Sequence, residues 1–131
     1  MQFTLVLSSA PHDPATRRAL CFAQAVLAAG HQLQRLFFYQ DAVHIATRLT
    51  VVPQDEQNLA QQWQALVQEH QLDAVVCIAA GLRRGVLDAA EAKRYQKDSD
   101  NLAQGFVLSG LGQLHEALQS ADRTVHFKGD A

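Results

Sequence analysis

Short apolar runs separated by longer amphipathic segments are what most restrict the folding of this chain. FTLVLS (Phe3–Ser8) is apolar with no helical period and reads as a buried strand. HQLQRLFFY (His31–Tyr39), DAVVCIA (Asp73–Ala79) and RTVHF (Arg123–Phe127) read as three more, and GFVL (Gly105–Leu108) as a short fifth. Between the first two runs, Ala19, Phe22, Ala23, Val26 and Leu27 recur at three- and four-residue steps and form one apolar helix face. Asp13 is placed to cap that helix, Pro14 suits its first position, where the missing N–H is not needed, and Gly30 sits where a terminating glycine belongs.

Leu59, Trp63, Leu66 and Val67 mark a second amphipathic helix ending near His70. DAAE (Asp88–Glu91) has the form of a capping box and predicts a short helix to about Tyr95. Leu111, Leu114 and Leu118 carry a last helix. A turn of helix is expected around Ala42–Ala46 within an otherwise mixed, polar stretch, and QKDSDNL reads as loop. Strands alternating with helices at this spacing imply βαβ units. The expectation is an α/β fold: a single three-layer α/β/α domain over residues 1–131, with a mostly parallel sheet of four to five strands covered on both faces.

At 131 residues, 48% hydrophobic and 18% charged, the chain is long enough to bury a real core. A net charge of −2 gives no electrostatic reason to expect direct nucleic-acid binding. No apolar run approaches the roughly 20 residues needed to span a bilayer, and the first residues lack the positive region of a signal peptide. Two cysteines make no disulfide scaffold, and no Cys/His spacing suggests a metal site. A reducing, cytoplasmic setting follows as the default.

Chemistry enters at Cys77. In open parallel sheets, reactive groups collect beyond the carboxyl ends of the strands, and Cys77 lies near that end of the third run. IAAGLRRGV, which follows, is expected to open a helix within three or four positions, and a helix start favours negative charge. Arg83 and Arg84 add fixed positive charge nearby in sequence. The competing reading is plain packing: a free cysteine in an apolar strand is usually a small core residue, and adjacent arginines usually form a solvated face. Position alone leaves both readings open, with packing the more frequent.

Other positions carry less. Cys21 lies mid-helix and is expected to pack. The six histidines are scattered, and none neighbours Cys77 in sequence. SGLG (Ser109–Gly112) is either an anion cradle or, more commonly, the start of a helix. Tyr39 ends the second run and is placed to line the same rim as Cys77.

FFYQDAV (37–43), CIAAGLRRGV (77–86), SDNLAQGFVLSGLGQL (99–114) and DRTVHF (122–127) together make the chain resemble the DsrE/TusD family of sulfur-relay proteins over nearly its whole length, most closely its TusD branch. The resemblance implies a sulfurtransferase that takes up sulfane sulfur as a persulfide on Cys77 and passes it to a downstream carrier. No cofactor or metal is implied. Arg83 and Arg84 would give electrostatic support, with Tyr39 and Ser109 on the rim. TusA-like and TusE-like carriers would stand upstream and downstream, with TusB- and TusC-like subunits completing a hetero-oligomer, or copies of this chain a homo-oligomer. The output implied is 2-thiolation of a wobble uridine in tRNA; the DsrE branch implies sulfur oxidation instead. The first loop, SSAPHDPATRR, Cys21 and the tail KGDA depart from the family pattern. Two rivals remain: a non-catalytic assembly subunit, favoured if Cys77 is buried, and a small flavodoxin-like domain holding a phosphate-bearing ligand at SGLG.

Overall fold

The computed structural model describes residues 1–129; of the tail KGDA, Asp130 and Ala131 lie outside the described residues. In chain order the elements are β1 (Gln2–Leu7), α1 (Pro14–Ala28), β2 (Gln32–Phe38), a 3₁₀ segment (Gln40–Ala46), α2 (Leu59–His70), β3 (Ala74–Cys77), α3 (Ile78–Arg83), α4 (Ala89–Arg94), β4 (Phe106–Ser109), α5 (Leu111–Ser120) and β5 (Arg123–Phe127). The strands form one five-stranded sheet in the order β4-β3-β2-β1-β5, and every pairing in it is parallel. The α/β expectation holds, and GFVL does supply the fifth strand.

Local chemistry explains the boundaries. Asp13 caps α1, its carboxylate accepting the Ala15 N–H at 2.8 Å, and Pro14 occupies the first helical position. Asn58 does the same for α2 through the Gln61 N–H at 3.1 Å. Asp88 caps α4 through the Glu91 N–H at 2.8 Å. The reciprocal half of the expected capping box is not formed. The Glu91 carboxylate is buried, with Oε1 3.7 Å from Arg94 and Oε2 without a partner.

The core sits on the central strands. Leu5, Leu7, Leu36, Phe37, Phe38 and Val76 are fully buried, and Phe38 meets the edges of Trp63 and Phe106 with ring centroids 5.6 and 5.5 Å away. Each chain crossover from β1 through β4 steps in one direction across the sheet. The right-handed rule therefore puts α1 to α4 on one face, and the return from β4 to β5 puts α5 on the other.

That second face is covered more thinly than expected. Only Ala117 of α5 is fully buried and Leu114 packs part-buried against the core, with polar contacts helping to tie the helix down. Arg35 of β2 donates to the Gln113 carbonyl at 2.8 Å and pairs with Asp73 at 2.7 Å, and Gln34 bonds to Ser120. Val107, Leu111 and Leu118 stay exposed.

Candidate functional site

Cys77 is the last residue of β3 and the capping residue of α3, which begins at once, within the few positions expected. β3 is buried along its whole length between β2 and β4, so Cys77 is only 3% exposed and its side chain makes no capping hydrogen bond. Burial removes the simplest picture of an open thiol and is the observation that most favours the packing reading.

The sheet register assembles the rest of the rim. Cys77 lies directly across from Ser109, the last residue of β4. On the other side Val76 pairs with Phe38, so Tyr39, which caps the 3₁₀ segment, leaves β2 at the level of Cys77. Tyr39 and Ser109 are both half-buried. Three residues singled out in the sequence from separate stretches thus end neighbouring strands on one edge of the sheet. Parallel pairing forces this, because parallel strands deliver all their carboxyl ends to the same side.

The arginines are placed differently. They fall at the far end of α3 from Cys77, six and seven residues on and about 9–10 Å along the helix. Arg83 is exposed and makes no hydrogen bond or ion pair among the described residues. Arg84 is committed: its Nε donates to Asp41 at 2.9 Å and its Nη1 to the Ala80 carbonyl at 3.2 Å. Neither guanidinium is bonded to the sulfur.

Asp41 is the residue that sequence reasoning missed. It sits in the 3₁₀ segment, which packs against both β3 and α3 and buries Ala42, Val43, Ile45 and Ala46. The polar, unpatterned stretch around it carried no signal of a partner 43 residues away.

Cys21, expected to pack, is exposed on α1 because its position falls on the helix's outer face. SGLG opens α5, with Gly110 rather than Ser109 as the capping residue and no side-chain bond to the helix start. A cleft of about 510 Å³ lies elsewhere on the rim, lined by His12, Asp13, Arg17, Glu56 and Asn58 among others and not by Cys77. No group of three or more His, Cys, Asp or Glu among the described residues is arranged to hold a metal ion. No helix there is long and apolar enough to cross a membrane.

A parallel five-stranded sheet, with a buried cysteine at the carboxyl end of an interior strand level with Ser109 and Tyr39, defines a small α/β protein that carries a strand-end thiol. The chain belongs to the DsrE/DsrF-like family, whose model matches residues 1–127. It is 58% identical over 130 residues to the sulfurtransferase TusD homolog of Pseudomonas aeruginosa, covering 99% of each chain. It is 49% identical over 109 residues to the sulfurtransferase TusD of Sodalis glossinidius, covering 83% of this chain and 84% of that one. Its fold matches the crystal structure of the ychN protein from E. coli with a TM-score of 0.74 at 22% identity, covering 97% of this chain and 100% of that one.

Proposed function

We propose that this chain is a sulfurtransferase of the TusD kind that carries sulfane sulfur as a persulfide on Cys77 and relays it to a downstream carrier. What carries the reading is the coincidence of a strand-end cysteine, at the edge where parallel sheets place their chemistry, with near-full-length relatives named sulfurtransferase TusD. The chemistry needs nothing beyond thiols. The Cys77 thiolate attacks the outer sulfur of a donor persulfide, a new S–S bond forms to Cys77, the donor's S–S bond breaks, and the donor leaves as a thiolate. The acceptor's thiolate repeats the exchange and returns Cys77 to its starting form. Ser109 and Tyr39 border the reacting sulfur, and Arg83, exposed at the far end of α3, supplies positive charge to an approaching partner.

The donor and acceptor are cysteines of other proteins, TusA-like upstream and TusE-like downstream. The thinly covered face around Val107, Leu111 and Leu118 is where TusB- and TusC-like subunits, or further copies of this chain, would dock. We assign the relay to 2-thiolation of the tRNA wobble uridine in a reducing, cytoplasmic setting.

The test is direct. The protein is incubated with a cysteine desulfurase, cysteine and a loaded upstream carrier, and added sulfur is located by mass spectrometry. Sulfur is expected on Cys77 and is expected to be lost in Cys77→Ser. Sulfur loading that persists in Cys77→Ser overturns the assignment. No loading at all favours the second reading that burial of Cys77 suggests, a non-catalytic assembly subunit.

A further inference from the structure

A relay cysteine must be reached by another protein's sulfur, yet Cys77 is 3% exposed. Two pieces of chain close around the end of β3. One is α3, whose first residue directly follows Cys77. The other is the 3₁₀ segment, which packs on both β3 and α3. They are pinned to each other by an ion pair, Arg84 Nε to Asp41 Oδ1 at 2.9 Å, between the residue that terminates α3 and the second residue of the 3₁₀ segment. The residue before Asp41, Gln40, is held at φ 49, in the left-handed region that non-glycine residues seldom occupy. Such a conformation persists only where its surroundings hold it, so this segment is kept in place under strain.

We propose that the Asp41–Arg84 pair is a latch that governs access to Cys77. Paired, it holds α3 against the 3₁₀ segment and keeps the sulfur out of solvent. Released, it loosens the Arg84 end of a six-residue helix whose buried residues are Ala80 and Gly81, while Asn101 still holds the turn that follows, and the sulfur opens at the helix's other end. Asp41 and Arg84 are then positioning residues acting through α3. A carrier opens the site by binding the released form better than the closed one. Shelter in the closed form suits a persulfide, which any free thiol in solution would otherwise discharge.

The inference rests on Cys77 being the reacting group, but its test uses no sulfur donor, so the two can fail separately. The folded protein is treated with iodoacetamide, a neutral reagent, and digested with trypsin. Cys21 falls in the peptide 19–35 and Cys77 in 49–83, so exposed Cys21 is an internal reference for the same sample.

In the wild-type protein Cys77 is expected to react far more slowly than Cys21. Asp41→Asn and Arg84→Gln are each expected to raise the Cys77 rate about two- to fivefold, the range set by one partly exposed ion pair, and to leave Cys21 unchanged. Arg84→Lys, which keeps the charge, is expected to stay near the wild-type rate. Circular dichroism checks that each variant is folded.

Unchanged Cys77 rates in both neutral variants overturn the latch. A slower rate in Arg84→Gln overturns it too, since that is the sign expected if Arg84 instead promotes the reactivity of the thiol. A rise in Arg84→Lys equal to that in Arg84→Gln also overturns it, because side-chain packing rather than the ion pair would then hold α3.

Discussion

Asn101 uses both ends of its side-chain amide to hold together stretches of chain far apart in sequence. Its Oδ1 accepts from the Leu87 N–H at 2.8 Å, and its Nδ2 donates to the Gly85 carbonyl at 2.9 Å and to Thr47 Oγ1 at 3.1 Å. Its backbone adds bonds to Leu87 and Arg48. The turn after α3, the exit of the 3₁₀ segment and the approach to β4 are thereby joined at one residue. An alanine there keeps the backbone bonds and strands the Leu87 N–H and the Gly85 carbonyl. Asn101→Ala is expected to lower stability by about 2 kcal/mol, read as a lower denaturant midpoint at unchanged slope. QKDSDNL reads as loop in the sequence because nothing in a polar run shows that one of its members is fully bonded.

Elements are placed by features of two kinds, and only one kind is visible in a sequence. α1 is marked by Asp13, Pro14 and a regular apolar face, and these signals act within a few residues of where they sit. β4 is positioned by something longer in range: Gly105, at φ +99, turns the chain beneath α2, where a Cβ would come within 3.2 Å of Val67 Cγ1. Gly105→Ala is expected to cost about 1–2 kcal/mol through the left-handed backbone alone, with the Val67 contact adding to it. Thermal unfolding checks this, and an unchanged midpoint would mean the turn relaxes freely.

The same division explains the site. The strand-end placement of Cys77 was legible because strand ends can be read from apolar runs. The Asp41–Arg84 pair was not, because it joins two segments brought together only by the assembled sheet. The helix expected within a few positions of Cys77 does form, although IAAGLR carries no side-chain cap to fix its first residue.

At the scale of the whole molecule, the α/β class followed from the alternation of runs, whereas the imbalance between its two faces did not. Strand order decides that imbalance. Three successive crossovers stack helices on one side, and a single return leaves α5 alone on the other. Leu111 and Leu118 lie seven residues apart on α5, two helical turns, so they share one exposed stripe, and Val107 of β4 is exposed as well. Their periodicity in the sequence predicts a face buried by the chain itself, and the fold leaves it uncovered. If this stripe is the docking face proposed above, the double variant Leu111→Glu with Leu118→Glu is expected to reduce the assembly mass seen by light scattering, for the chain alone or mixed with the proposed partner subunits. An unchanged mass would move the interface elsewhere.

The return to β5 has a consequence for how the chain comes into being. β1 is made first, yet one of its two neighbours is β5, with Phe3 paired to Arg123 and Leu7 to Phe127 across 120 residues. During synthesis at about 5–20 residues per second, β1 can acquire β2 early but keeps a bare edge until the last strand emerges. The sheet therefore closes late, around one of its oldest strands. For that interval Leu5 and Leu7, fully buried in the finished molecule, flank an open row of backbone groups. The nascent chain stays open to pairing with the wrong neighbour until β5 is available to β1.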